Sequence, residues 1–332
     1  MGSDPRVLWL ADCNGDRAPL VGGKAAGLGV LVEEGLQVPP GFAITTAAYR
    51  EHVDHNGFAA DLERLLADCA TFEAQQRASD EIRALFEASR PSPALEEAVL
   101  AAHATLCADQ SMAVAVRSSA TGEDSRMASF AGQQDTYLWI LGGDEVVRHM
   151  VRCWSSLFTP HAIAYRAQMG TPVDDLAMGV VVQQMVPAEA AGVMLTIDPI
   201  SGDSSAIVIE AAFGLGAAVV NGEVDPDRFC VDKGALSIRS RAIGVKKLAY
   251  RFDPAVQGTR REDVGRQLQG QPCVTDAEVL ELANLGRRME QTMGRTQDIE
   301  WAIGPGSTGE RQVFLLQARP ETVWSQHATL GT

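Results

Sequence analysis

The chain has 332 residues, 46% of them hydrophobic, and a formal net charge of −15. That length suits two domains, or one domain with large subdivisions, and the apolar share supports a substantial core. The acidic balance argues against a nucleic-acid binder held by phosphate contacts, but it leaves room for a nucleotide site, which needs only a few local cations.

Residues 24–34 read as a helix, with Leu28, Leu31 and Val32 on one stripe and Gly35 placed to cap its end. Val38-Pro-Pro-Gly41 breaks the pattern, and Phe42-Ala-Ile-Thr45 reads as a short strand. From about Ala48 to Thr105 the chain is strongly helical, with Leu62, Leu65, Leu66 and Cys69 on one apolar face and Pro91 and Pro93 splitting the region. Ala113-Val-Ala-Val-Arg117 is a buried strand ending in a charge, residues 130–132 are a loop, and Thr136-Tyr-Leu-Trp-Ile-Leu141 is a strand. Asp144 to Gln168 is expected to be one long helix.

After about residue 176 strands follow closely: Met178 to Met185, Gly192 to Thr196, Ala206 to Glu210 and Arg228 to Asp232. The charged stretch Gly258 to Gln271 reads as a loop. Asp276 to Met293 reads as a helix between a Thr275 N-cap and a Gly294 C-cap. Two further strands, around Gln297-Asp-Ile-Glu300-Trp and Val313-Phe-Leu-Leu-Gln317-Ala-Arg319, precede a short tail from Trp324. These readings divide the chain into a mixed first lobe, 1–190, with a helical insertion at about 48–105, a strand-rich second lobe, 191–323, and a tail, 324–332.

The six cysteines are scattered, with no CxxC pair and no histidine at ligand spacing, as expected for reduced thiols in a cytoplasmic protein. Val7-Leu-Trp-Leu10 is too short for a secretory signal, and no apolar run reaches membrane-spanning length.

The last two strands carry the most chemistry. Asp298 and Glu300 alternate with Ile299 and Trp301, and Gln317 and Arg319 alternate with Leu316 and Ala318. Residues two apart in a strand share a face, so a hairpin would gather a carboxylate, an amide oxygen and a guanidinium on one surface. Oxygen ligands suit Mg²⁺, and a bidentate cation suits phosphate. Val21-Gly-Gly-Lys24 opens a helix with the backbone freedom and dipole that favour an anion. It is not a Walker loop, because Ala25 stands where Ser or Thr is needed; a structural turn is the plain alternative. Arg117-Ser-Ser119 ends a strand with a guanidinium beside two hydroxyls, which fits phosphate or, equally, a carboxylate partner such as Glu123 or Asp124. Ala128 to Thr136 is a small-residue loop that could cover phosphates or simply turn. Gln183-Gln-Met-Val186 ends an apolar strand and could line a purine slot. Gly214-Leu-Gly216 fails the dinucleotide fingerprint, since Val219 occupies the third glycine position. There is no GxSxG, no HExxH and no Ser/His/Asp arrangement.

In this order the motifs resemble the nucleotide-binding region of the phosphoenolpyruvate synthase and pyruvate phosphate dikinase family, which includes rifampin phosphotransferase and phenylphosphate synthase. The matching segments are Val21 to Leu28, Val38 to Phe42, Ala115 to Ala120, Ala128 to Tyr137, Val182 to Val186, Gly192-Val-Met194 with Asp198-Pro199, Gly222-Glu-Val224 with Pro226-Asp-Arg228, Gln297 to Trp301 and Leu316 to Pro320. The resemblance implies an α/β (α+β) ATP-grasp fold with ATP between two lobes. It implies phosphate contacts from Lys24, Arg117 and Arg319, with Thr136 and Gly132 nearby. It also implies an adenine pocket at Gln183, Gln184, Met185 and Val186, and Mg²⁺ on Glu300 and Gln317. The activity implied is transfer of the β-phosphoryl of ATP to a histidine on a separate domain, giving AMP and phosphate, with Lys24, Arg117 and Arg319 as the catalytic cations.

Two residues depart from the pattern: Ala217 follows Gly-Leu-Gly where family members often carry Glu, and Glu321 follows Arg-Pro where a β-branched residue is common. The family's Thr/Gly-rich phosphohistidine segment is not in this sequence, nor is an acceptor-binding domain. The expectation is therefore an ATP-binding component, as a separate subunit or an excised domain, that works with a histidine-bearing partner, an acceptor domain and a small-molecule acceptor, away from nucleic acid and membrane. Two other readings are a non-catalytic nucleotide-sensing module and an ATP-grasp ligase that releases ADP.

Overall fold

The protein is described by a computed structural model covering residues 4–108, 112–121, 135–169, 172, 176–253, 255, 258–306, 308–322 and 324. It divides into two units. The first comprises residues 1–30 and 40–185, the second 31–39 and 186–332.

The first unit is built on a five-stranded sheet of β1 (Val7–Trp9), β2 (Gly41–Ile44), β3 (Val114–Ala120), β4 (Thr136–Ile140) and β5 (Met178–Gln184), in the order β1-β2-β5-β3-β4. Every pairing in it is antiparallel. Successive side chains alternate across it. Val114, Val116, Val180 and Val182 point into a core with Phe42, Ile44, Phe86, Trp154 and Phe158. That core is closed by helices: α3 (Thr46–Asn56), α4 (Ala59–Leu66), α5 (Phe72–Ala88), α6 (Pro93–Leu106) and α7 (Gly143–Ser155). Thr45, Thr71 and Ser92 each cap a helix by accepting a backbone N–H three residues on, so the starts of α3, α5 and α6 are specified locally. Short α1 (Ala18–Val21) and then α2 (Gly23–Glu33) precede β2.

One expected long helix is two. α7 ends at Ser155, a 3-10 turn spans Ser156–Phe158, and α8 (Pro160–Met169) starts afresh. Pro160 lacks the N–H that a continuing helix needs, and its ring excludes the preceding turn. The break lets Phe158 and Trp154 both reach the core, where Trp154 Nε1 donates to the Met178 carbonyl at 3.1 Å.

The second unit is a six-stranded antiparallel sheet in the order β13-β12-β6-β7-β8-β9. Its strands are β6 (Ala190–Leu195), β7 (Ala206–Phe213), β8 (Asp227–Asp232), β9 (Ser237–Ala242), β12 (Gln297–Pro305) and β13 (Arg311–Pro320). One face is covered by α11 (Asp276–Met293), whose Val279, Leu282, Ala283 and Met289 are buried. Gly286 allows the closest approach: a Cβ there would stand 2.8 Å from the Met194 sulfur. Thr275 and Glu278 form a reciprocal capping box, and Gly294 closes the helix at φ +66°.

The stretch expected to be a charged loop is instead β11 (Gly258–Asp263), paired with β10 (Leu248–Asp253), followed by the short α10 (Arg266–Gln269). Its charges are satisfied by pairing rather than by solvent alone: Arg260 reaches Asp253 at 3.1 Å and Glu262 at 2.9 Å. Short α9 (Ala217–Val220) follows the Gly214 turn, where the Leu215 amide donates to the Tyr250 carbonyl at 2.9 Å and so moors the ribbon. Beneath it lies a fully buried ion pair, Lys246 with Asp227. Asp227 also accepts the Gly244 and Cys273 amides at 3.1 and 2.8 Å, which satisfies the carboxylate's remaining lone pairs.

All six cysteines are unpaired. No described helix is long and apolar enough to cross a membrane.

Candidate functional site

In the first unit the expected phosphate residues converge on the end of β3. Gly22 has φ +81°, and a Cβ on it would fall 2.0 Å from the Ser119 carbonyl oxygen, so only glycine lets α2 start there. Ser119 Oγ accepts the Ala25 amide at 3.2 Å, and Lys24 Nζ donates to the Ser118 carbonyl at 3.0 Å. The start of α2 and the end of β3 are thereby stitched together, with the lysine beside the strand. Lys24 also acts on the buried Cys153 thiol. Burial pushes that thiol far up, Asp135 adds to the rise, and the lysine opposes it.

Ala115, Arg117 and Ser119 share one side of β3, opposite the side that fills the helical core. Arg117 is half-buried, pairs in register with Thr136 on β4, and lies across from Val181 on β5. Gln183 pairs with Ala115 and Gly41 and is 3% exposed. Beside Thr136, the Tyr137 hydroxyl donates to Asp135 at 2.9 Å; burial, then this bond, raise the phenol's pKa. The Asp135 carbonyl accepts the Ser118 amide at 3.2 Å, tying the start of β4 to β3.

The four residues read together as a purine slot run off the end of β5. Gln183 is on the Arg117 side of the sheet. Gln184 turns the other way, its Nε2 donating to the Leu106 carbonyl at 2.8 Å. The Met185 amide donates to the Ala113 carbonyl at 3.0 Å. Val186 belongs to the second unit, in a small apolar cluster with Ala191 and Ala302. Gly132 lies outside the described residues.

In the second unit the closing hairpin pairs its polar residues directly. Asp298 stands opposite Arg319 and Glu300 opposite Gln317, with a bulge just beyond, between Glu300 and Trp301. Directly opposed side chains on an antiparallel pair have Cβ atoms about 5 Å apart. The carboxylate and the amide oxygen are thus neighbours, on the face away from α11, where Asp298, Glu300, Val193, Leu195, Glu210 and Arg228 are all half-buried. Hard oxygen donors facing one another at this spacing fit Mg²⁺, which usually keeps one or two protein ligands and takes the rest from phosphates and water. Among the described residues no three His, Cys, Asp or Glu side chains form a metal-binding group.

Arg319 is not a bare cation. Its Nε and Nη2 donate to Asp298 Oδ2 at 2.9 and 2.7 Å, and 62% of its side chain is exposed. Asp298 thereby orients the guanidinium. The alternation Asp-Ile-Glu already placed Asp298 on this face, but its service as a partner to Arg319 needs the strand register. Two further residues on this face were given no site role from the sequence: Glu210, and Arg228 of the matching Pro226-Asp-Arg228 segment, joined at 3.3 Å.

Residues 18–330 match the family model described as the AMP/ATP-binding domain of pyruvate phosphate dikinase. Among curated relatives, the phosphoenolpyruvate synthase of Aeropyrum pernix is 40% identical over 96% of this chain and 43% of its own length. The rifampicin phosphotransferase of Streptomyces sviceus is 42% identical over 95% of this chain and 36% of its own. The phosphoenolpyruvate synthase of Pyrococcus furiosus is 33% identical over 97% and 44%. The chain thus spans less than half the length of these relatives. A solved D-alanyl-alanine synthetase A from Vibrio cholerae aligns with a TM-score of only 0.24 at 11% identity, over 74% of this chain and 54% of that one.

Proposed function

The chain belongs to the pyruvate phosphate dikinase AMP/ATP-binding family, and we propose from this that it is the ATP-binding component of a dikinase-type phosphotransferase with an ATP-grasp architecture. It would bind ATP with Mg²⁺ and pass the β-phosphoryl group to a histidine outside this sequence, giving AMP and phosphate. The acceptor served by that phosphohistidine would be a small molecule, as the names of the relatives, phosphoenolpyruvate synthase and rifampicin phosphotransferase, suggest.

The observation that carries the reading is the in-register hairpin, with Glu300 facing Gln317 and Asp298 holding Arg319. Phosphoryl transfer asks little covalent chemistry of a protein. It asks for positioning of the phosphates and neutralisation of their charge. Glu300 and Gln317 would hold Mg²⁺, which supplies charge neutralisation on the phosphate oxygens. Arg319, oriented by Asp298, would donate to a phosphate. Lys24 and Arg117 would donate to phosphate oxygens, with the start of α2 adding its dipole. Gln183 to Val186 would meet the adenine, and of these Gln183 is the polar group on the Arg117 side.

The test is to mix the chain with ATP, Mg²⁺ and a histidine-bearing domain of a relative, and to identify the nucleotide product. AMP supports the proposal. ADP alone would point to acyl-phosphate ligase chemistry. Binding of ATP without turnover beside any such partner would point to a nucleotide sensor.

A further inference from the structure

On the half-buried face of the second unit's sheet, Gln317, Glu300, Val193, Glu210 and Arg228 form one cross-strand row through four successive pairings. Glu300 and Glu210 therefore lie two strands apart, about 10 Å. Like charges at that distance on a half-buried surface are only partly screened. Arg228 ends the row: Nη1 donates to Glu210 Oε1 at 3.3 Å and Nη2 to Asp198 Oδ1 at 3.3 Å. All three side chains are 22–29% exposed. Asp198 is further fixed in the β6–β7 turn, where its carboxylate accepts the Ile200 amide at 2.9 Å. The Ile200 bond, then Ser201 and Arg228, hold Asp198 below the usual carboxylate range, so it remains an anion.

We propose that Arg228 is a positioning residue for the nucleotide: by spanning Glu210 and Asp198 it removes one negative charge from the face that carries Glu300, and so lets that face accept a metal–triphosphate. This rests on the reading of Glu300 and Gln317 as the Mg²⁺ ligands. The group arrangement is two carboxylates and one guanidinium, net −1; without the guanidinium it is −2. An uncompensated charge about 10 Å away, in a medium between water and protein surface, is worth roughly a tenfold change in the affinity of an anion. The sequence segment Pro226-Asp-Arg228 gives no hint of this, because its aspartate turns inward to Lys246 while its arginine turns outward to the row.

The experiment is calorimetric titration of the whole chain with MgATP for wild type, Arg228→Gln, Arg228→Lys and the double variant Glu210→Gln/Arg228→Gln, at low and high salt. Arg228→Gln should bind roughly tenfold more weakly at low salt, with the deficit shrinking as salt rises. The lysine variant should recover part of the loss, and the double variant most of it, since removing Glu210 restores the charge of the row. A purely structural role for Arg228 would give no such rescue and no salt dependence, and either result overturns the inference. An Arg228→Gln variant that binds like the wild type overturns it too. A wild-type chain that binds no MgATP overturns the nucleotide reading itself, and this inference with it.

Discussion

At the scale of single residues, the hairpin separates side chains that act from side chains that support. Glu300 and Arg319 are assigned to metal and phosphate, on strands whose folding depends on their buried neighbours Ile299, Trp301 and Leu315. Removing either polar group therefore costs little stability. Glu300→Ala and Arg319→Ala should each lower turnover by about 10²–10³-fold, the range for loss of one electrostatic donor, while circular dichroism and thermal unfolding stay near wild type. Retained turnover in both would sink the assignment. Asp298→Asn should be milder, because it loosens Arg319 without removing it. His52 makes a different prediction. It is fully buried among Phe58, Phe86 and Trp154, with Nε2 3.0 Å from Ser89 Oγ. Burial, and then the neighbouring His55, lower its pKa from 6.5 to about 4. The unfolded chain takes its proton near pH 6.5 and the folded chain only near 4. The stability that a neutral His52 provides is therefore full above pH 6.5, falls as pH drops through that window, and levels off near 4; the loss is on the order of 3 kcal/mol. Denaturant titrations from pH 7 to 4 should show that this slope is smaller in His52→Phe.

At the scale of elements, local chemistry decides which parts of the sequence could be read. The Thr275-to-Gly294 helix was legible to the residue, because a capping box and a left-handed glycine mark both ends. Thr275→Ala should cost about 1 kcal/mol, measured by denaturant unfolding, in keeping with a lost N-cap. The closing hairpin was legible from alternation alone, since its polar and apolar residues have period two. The Gly258–Gln271 segment was not: β11 is a ribbon strand buried on neither face, so no hydrophobic period marks it, and it is held by cross-strand ion pairs, Arg260 with Asp253 and Arg251 with Glu262, that only the register creates. Pro160 did mark the break between α7 and α8, but the apolar residues on both sides masked it. At the end of β3 the sequence showed glycines, a lysine and two serines without saying which did what. The structure gives Ser119 to the start of α2 and Gly22 to close approach. Gly22→Ala should therefore lower stability in denaturant unfolding and weaken MgATP binding together, because the strained φ and the Ser119 clash would both move the turn that carries Lys24.

At the scale of the whole molecule, the assigned groups are divided between the two units: Lys24 and Arg117 in the first, Glu300, Gln317 and Arg319 in the second. The two sets differ in kind. The first offers cations and no metal ligand; the second offers a metal pair and an arginine already shared with Asp298. If one MgATP uses both sets, its binding free energy is linked to the folded state of each unit. At a hundred times the dissociation constant that linkage is worth about 2.7 kcal/mol. Hydrogen exchange is the measurement, because it reports opening locally rather than as one global transition. MgATP should slow exchange at the amides of Ala25 and Ser118 in the first unit and along β12 and β13 in the second. Glu300→Ala should abolish the second effect and weaken the first, through lost affinity. Lys24→Ala should act in the opposite sense. Protection confined to one unit, at saturating nucleotide, would mean that ATP is held by one set of groups and that the other serves something else.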